Sequence, residues 1–302
     1  PQQAKISISQ LFPWFGTLNA KEEVAAQKAK VKFEAFKEAK ANLFYEIKSA
    51  YYELYFTQQA INITRENLEL LGSFKRLALI KMETGKGSGV DELRVEMEIA
   101  DLENKLALLL DKLEDQQVAF NNMLDVSAKS EIRFPESLGY DSLALEPSEI
   151  LDSIRRNNHE LQQLDYRLNA FQHQENLAHK KGRPDFSLGL DYILIGESDN
   201  SMVPPGQSGQ DAFLFPKIGI SIPLYRKKYT SMVEEVVLQQ KATQQKKEDK
   251  INTLETVFEK AETDYQDAGR RINLFASQTE RAEKAINLLE SEYSTSGKEF
   301  EE

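Results

Sequence analysis

Two proline-free stretches of helix formers, Leu18 to Met82 and Tyr229 to Ser294, constrain this chain more than anything else in it. At 1.5 Å per residue each predicts a helix roughly 90 to 100 Å long, several times the usual length in globular proteins. In the second stretch the apolar spacing is sevenfold. Ile251, Phe258, Tyr265, Ile272, Ile286 and Tyr293 form one row, and Leu254, Ala261, Ala268, Phe275, Ala282 and Leu289 follow three residues on. That is an a/d seam. In the first stretch Ile47, Leu54, Ile61 and Leu68 keep the register, and Phe33, Phe36, Phe44, Tyr51, Tyr52 and Tyr55 add a second, aromatic stripe. Apolar rows on two sides of a helix need neighbours on two sides, which predicts a closed ring of helices rather than an isolated pair.

The two stretches belong to a duplication at an offset of about 212 residues, the kind of self-similarity that reports repeated architecture. Lys5-Ile6-Ser7-Ile8-Ser9 returns as Lys217-Ile218-Gly219-Ile220-Ser221, and Glu22-Glu23-Val24 as Glu234-Glu235-Val236. Ile61-Asn62 returns as Ile272-Asn273 with a one-residue slip, and Thr84-Gly85-Lys86 as Ser296-Gly297-Lys298. We therefore read a first repeat over 1–147 and a second over 148–302. Each has a strand, a proline bend (Pro13, Pro223) and a long helix. In the first, Gly85 to Gly89 breaks the pattern, and a helix from Val90 to Leu124 follows with Ile99, Leu106, Leu113 and Phe120 in sevenfold spacing. This predicts a helical hairpin with a glycine tip. After a mixed segment, Asp125 to Pro147, another helix is expected, capped by Ser148 and closed near Gly182-Arg183-Pro184.

Strand alternation is clearest next. Phe186, Leu188, Leu190, Tyr192 and Leu194 alternate with Ser187, Gly189, Asp191 and Ile193. Leu214, Pro216, Ile218, Ile220, Ile222 and Leu224 alternate with Phe215, Lys217, Gly219 and Ser221, and a turn-rich stretch, Gly196 to Asp211, lies between. Both runs have the length a tilted strand needs to cross a bilayer. A soluble hairpin packed on a helix is the competing reading. An open sheet in lipid would leave unpaired edges, so a membrane reading requires partner chains and a symmetric oligomer.

The net charge of −11, with basic residues interleaved among acidic ones, argues against a nucleic-acid partner. Cysteine is absent, which removes disulfides and thiolate metal sites. No apolar run is long enough for a transmembrane helix, which leaves barrel strands open. The pattern at Pro1 reads as mid-strand and that at Glu302 as mid-helix, so both ends read as cut.

Pro13-Trp14-Phe15-Gly16 after a strand, Asn158-His159-Glu160-Leu161 leading to Arg183-Pro184-Asp185-Phe186-Ser187-Leu188, and Gly85 followed by Ser88, Asp91 and Leu93 together resemble the motifs of the TolC family of outer-membrane efflux proteins. The resemblance spans nearly the whole chain, and order and spacing carry it. His159 and Lys86 depart from it, standing where the family usually has a proline and an apolar residue. It implies a mainly α fold with a β-barrel portion: long antiparallel coiled-coil helices in an α-barrel, and four strands from each protomer of a trimer in a 12-stranded transmembrane barrel. It also implies a passive exit duct in the outer membrane of a Gram-negative bacterium, extending into the periplasm. There it would serve an inner-membrane pump through a periplasmic adaptor (membrane fusion) protein. Two alternatives remain open: the duct of a protein-secretion system, and a periplasmic coiled-coil adaptor or scaffold.

The site residues expected on this reading fall into three groups. Gly85, Gly87, Ser88, Gly89, Asp91, Leu93 and the repeat's Gly297 form an adaptor-docking and gating tip. At the family position of Asp91 an aspartate bonds to a neighbouring helix, though here it also suits the helix dipole. Phe186, Leu188, Leu190, Tyr192, Ile218, Ile220 and Ile222 face lipid, opposite Ser187, Gly189, Lys217 and Ser221 on the lumen side. Trp14, Phe15, Tyr225 and Tyr229 anchor the membrane interface, beside Arg226, Lys227 and Lys228, or pack an ordinary bend. Gly85 to Gly89 lacks the Gly-Lys-Ser/Thr order of a phosphate loop. His159, His173 and His179 lack the i, i+4 spacing of helical metal ligands and read as solvated. Met82, Met97, Met123, Met202 and Met232 are scattered, so no soft-metal site is expected. No catalytic constellation, cofactor or metal is expected.

Overall fold

The computed structural model of the chain describes residues 2–85, 88–139, 143, 146–195 and 212–295. Its elements are β1 (Gln2–Phe12), α1 (Thr17–Glu83), α2 (Gly89–Met123), α3 (Pro147–Asn157), α4 (His159–Lys181), β2 (Asp185–Ile195), β3 (Ala212–Ser221) and α5 (Arg226–Thr295). α1 runs for 67 residues and α5 for 70, so each proline-free stretch is one continuous helix. α5 starts at Arg226 rather than Tyr229, because Arg226, Lys227 and Lys228 are good helix formers directly after the Pro223 bend.

The chain divides into two compact units, Pro1–Glu38 with Ser148–Val257, and Ala39–Pro147 with Phe258–Glu302. Each draws on both sequence repeats. The first unit holds an antiparallel sheet in the order β1-β2-β3 and a small core of Ala20, Val24 and Leu177. Val236, the repeat's counterpart of Val24, is buried as well.

Where one helix was expected from Ser148, the structure has two. α3 begins at Pro147, where a missing N–H costs nothing and the fixed φ of proline suits a first turn. Ser148 therefore lies inside the helix. The break falls at Asn158, whose backbone is extended and whose side-chain oxygen accepts from the Leu161 amide at 3.0 Å, satisfying a donor of the new first turn. α3 and α4 run antiparallel to the start of α5 along a ladder of polar pairs: Arg155 with Glu255, Glu160 with Lys250, Asp165 with Lys247, and Glu175 with Gln240. Exposed pairs of this kind add little stability singly, but together they hold one register.

In the second unit Leu54 and Ile61 are buried, and so are Thr57 and Thr64 three residues after each. The sevenfold row is therefore the inward face of α1. Thr64 takes up its own hydroxyl by donating to the Ala60 carbonyl at 2.7 Å. On α2, Phe120 is buried and Ile99, Leu106 and Leu113 are half-buried, as the spacing requires. The mixed segment after α2 is tied down by side chains. Asn121 donates to the carbonyls of Ala128 and Ser130, both at 3.0 Å, and the Tyr51 and Tyr55 hydroxyls donate to those of Arg133 and Glu136. Part of the aromatic stripe is used in this way. Phe33, Phe36, Phe44 and Tyr52 stay exposed, as do Ile272, Phe275, Ile286 and Leu289 on the seam of α5.

Candidate functional site

The register of the sheet sorts its side chains onto two faces. Rows run across the three strands through Phe12, Phe186 and Ile220, through Gln10, Leu188 and Ile218, through Ile8, Leu190 and Pro216, and through Ile6, Tyr192 and Leu214. Because side chains alternate along a strand, all of these share one face. Ile8 is 72% exposed and Ile218 82%, and Ile6, Leu188, Leu190, Tyr192, Leu214 and Ile220 are exposed as well. Pro216 sits on an outer strand of the sheet, where a missing N–H is best tolerated. Ile222 lies past the end of β3, since Pro223 restricts its backbone and offers no N–H to continue the ladder.

The opposite face carries Ser7, Ser9, Ser187, Gly189, Gly219 and Ser221, with exposed Leu11 and Phe215 among them, around one buried charge, Asp191. Lys5 reaches Asp191 at 2.8 Å and Lys217 reaches it from the other side. These lysines are the paired positions of the duplication, so the repeat converges on one carboxylate in the strand between its copies. Sequence reading placed Asp191 on the polar face without its role. Two lysines at duplicated positions flanking a strand with one acid were the available signal.

At the foot of the sheet Trp14 donates its backbone N–H to Asp185 Oδ1 at 3.2 Å and stacks on Phe186 at 6.2 Å between centroids. Trp14 and Tyr229 are half-buried, whereas Phe15 and Tyr225 are 77% and 83% exposed. The structure therefore divides the four aromatic anchors into packed and projecting pairs. Gly16 adopts φ 74°, and Lys180 Nζ donates to the Phe15 carbonyl at 3.3 Å.

At the hairpin tip Gly85 takes φ 71° and donates its N–H to the Met82 carbonyl at 3.0 Å. Ser88 caps α2, its hydroxyl oxygen accepting from the Val90 amide at 3.2 Å. Gly89 is the first residue of α2, Leu93 is exposed, and Asp91 is buried 3.9 Å from Arg94 on its own helix. Gly87 and Gly297 lie outside the described residues.

His159 corrects the expectation of a solvated histidine. Its Nδ1 is 2.7 Å from Oε2 of buried Glu34, which also accepts from Lys37 at 2.9 Å. The Lys37 hydrogen bond holds the Glu34 carboxyl below its ordinary value of 4.5; burial opposes this and the His159 contact adds to it. A depressed carboxylate contributes stability above its unfolded value, lost as pH falls through the folded one. Melting temperature should therefore drop on acidification below about pH 4.5, and more steeply in wild type than in Glu34→Gln. At neutral pH the variant should melt a few degrees lower. Parallel curves would show that the carboxylate is not linked to folding. No group of metal-ligating side chains occurs among the described residues, and no helix there is long and apolar enough to cross a membrane.

No protein-family model and no curated protein matches the sequence. Solved structures do. VceC, an outer membrane protein of Vibrio cholerae, superposes with a TM-score of 0.76 at 15% identity, covering 96% of this chain and 68% of its own. The two chains share one fold. The MtrE outer membrane channel of Neisseria gonorrhoeae gives 0.75 at 14% identity over 97% of this chain and 70% of its own, and the CmeC channel of Campylobacter jejuni 0.74 at 13% over 98% and 62%. This chain thus spans about two thirds of the length of such channels. The mainly helical fold with a short antiparallel sheet agrees with the architecture expected from the TolC resemblance.

Proposed function

We propose that this chain is the greater part of one protomer of a trimeric outer-membrane channel. It would provide the exit duct of a tripartite pump, through which small molecules or metal ions leave passively while an inner-membrane transporter supplies the driving force. The observation that carries this reading is the sheet: a face left bare on three strands and apolar apart from Gln10, in a fold shared with outer-membrane channels. Water penalises such a face, and lipid would penalise the edges of β1 and β3 unless neighbouring chains close the ladder. Three copies, each adding a fourth strand, would make a closed barrel of 12. The exposed aromatic stripe of α1 and the exposed seam of α5 would then be covered by neighbouring helices in a periplasmic tunnel. The tip around Gly85 and Asp91 would meet the adaptor and take part in gating. No catalytic role is assigned. A soluble adaptor or scaffold is not favoured, because it has no use for a bare apolar sheet.

The full-length protein should sediment with membranes after lysis without detergent, and chemical cross-linking should arrest it as a trimer. Recovery as a soluble monomer would end this reading.

A further inference from the structure

The base of the sheet carries a feature that a plain membrane anchor does not need. A cleft of about 410 Å³ opens between the end of α4 and the start of α5, lined among others by His179, Arg183, Arg226, Tyr229 and Glu234. β2 begins two residues after Arg183, and β3 ends five residues before Arg226, so the cleft lies where the strands leave the sheet. Lys180, Lys181, Arg183, Arg226, Lys227 and Lys228 gather here in a chain of net charge −11. Lys180 is engaged by the Phe15 carbonyl. Among the described residues neither arginine has a carboxylate within ion-pair distance. Exposed Phe15, Leu224 and Tyr225 flank the same junction.

On the reading that the sheet crosses a membrane, we infer that this cleft binds the headgroup of a phospholipid bearing both a phosphate and a primary amine. Guanidinium groups present paired donors that match phosphate oxygens, which an ammonium cannot do in a fixed geometry. Arg183, in the turn between α4 and β2, and Arg226, the first residue of α5, line the same cleft, so the phosphate is held between them. Glu234 is the acid lining that cleft. It lies two helical turns into α5 and supplies the counter-charge for the lipid ammonium. The projecting aromatic and leucine side chains take the interfacial position in which such residues meet the glycerol and upper acyl region. A headgroup held there fixes the height of the sheet in the bilayer.

The test uses full-length protein purified in detergent with equal amounts of phosphatidylethanolamine and phosphatidylglycerol, with retained lipid counted by native mass spectrometry. Wild type should retain phosphatidylethanolamine preferentially. The double variant Arg183→Gln/Arg226→Gln should retain several-fold less of either lipid, and Glu234→Gln should lose the preference while still holding phosphatidylglycerol. Lys227→Gln/Lys228→Gln, outside the cleft lining, should behave as wild type. Undiminished retention by the arginine variant, or an equal loss in the lysine variant, overturns the site. So does binding of inorganic phosphate by wild type that retains no lipid. Membrane recovery and trimer cross-linking on the same preparations separate the two claims. A soluble monomer sinks the channel reading, whereas a membrane-borne trimer with arginine-independent lipid sinks only this one.

Discussion

Ile8→Arg should destabilise the membrane-inserted trimer by about 2 to 4 kcal/mol, read from urea unfolding out of liposomes, while Ser9→Arg, the next residue on the same strand, should cost far less. The two positions are neighbours on the strand and both are exposed. Both residues are exposed on β1, and their partners on β2, Leu190 and Gly189, are adjacent. Only the face differs. Ile8 shares its face with Leu190, Ile218 and Ile220, and Ser9 shares the other with Gly189 and the Lys5–Asp191–Lys217 cluster. An arginine among lipid chains must be desolvated or drag water inward, whereas one on the polar face meets small side chains and space. A soluble sheet makes the opposite forecast: both positions are open to water, and both should accept arginine. Equal tolerance would therefore exclude a membrane-crossing strand.

What could be read from residues alone follows from how local each signal is. Sevenfold spacing over tens of residues is a one-dimensional property, so the buried row through Leu54 and Ile61 and the stripe through Ile99, Leu106 and Phe120 were legible. Strand alternation is equally local, and it placed Leu188, Leu190, Ile218 and Ile220 on one face. Failures occurred where a distant residue decides. The interruption at Asn158 lies in a polar run, Arg155 to Glu160, that contains no helix breaker, and the His159 that follows it is held by Glu34 from 125 residues away. The burial of Asp191 depends on lysines from two other strands. The cleft beside Arg183 and Arg226 exists only because the end of α4 meets the start of α5. Proline effects account for the remaining differences: Pro147 starts α3 early, and Pro223 ends β3 before Ile222.

Gly85→Trp should abolish efflux in cells while leaving the trimer assembled. Gly85 occupies the left-handed region at φ 71°, where an L-residue pays roughly 1 to 2 kcal/mol. That penalty is local and small beside the packing of two very long helices, so assembly should survive it. A Cβ added at Gly85 would meet no atom within 4 Å, so the turn has room at the point where a side chain would leave the backbone. With the trimer intact, a loss of transport is expected to come from a partner surface that needs the tip slender. Backbone strain and bulk are separable. Asparagine tolerates positive φ better than most residues and is small, so Gly85→Asn should transport nearly as wild type. Alanine shares the strain of tryptophan without its size, so Gly85→Ala should lose little. Drug or metal susceptibility of a strain lacking the native gene, complemented by each variant, gives the readout, with cross-linked trimer as the assembly control. Normal efflux by Gly85→Trp would remove the tip from the docking surface. Equal loss in Gly85→Ala and Gly85→Trp would assign the effect to backbone conformation, leaving no role for a partner that grips the turn.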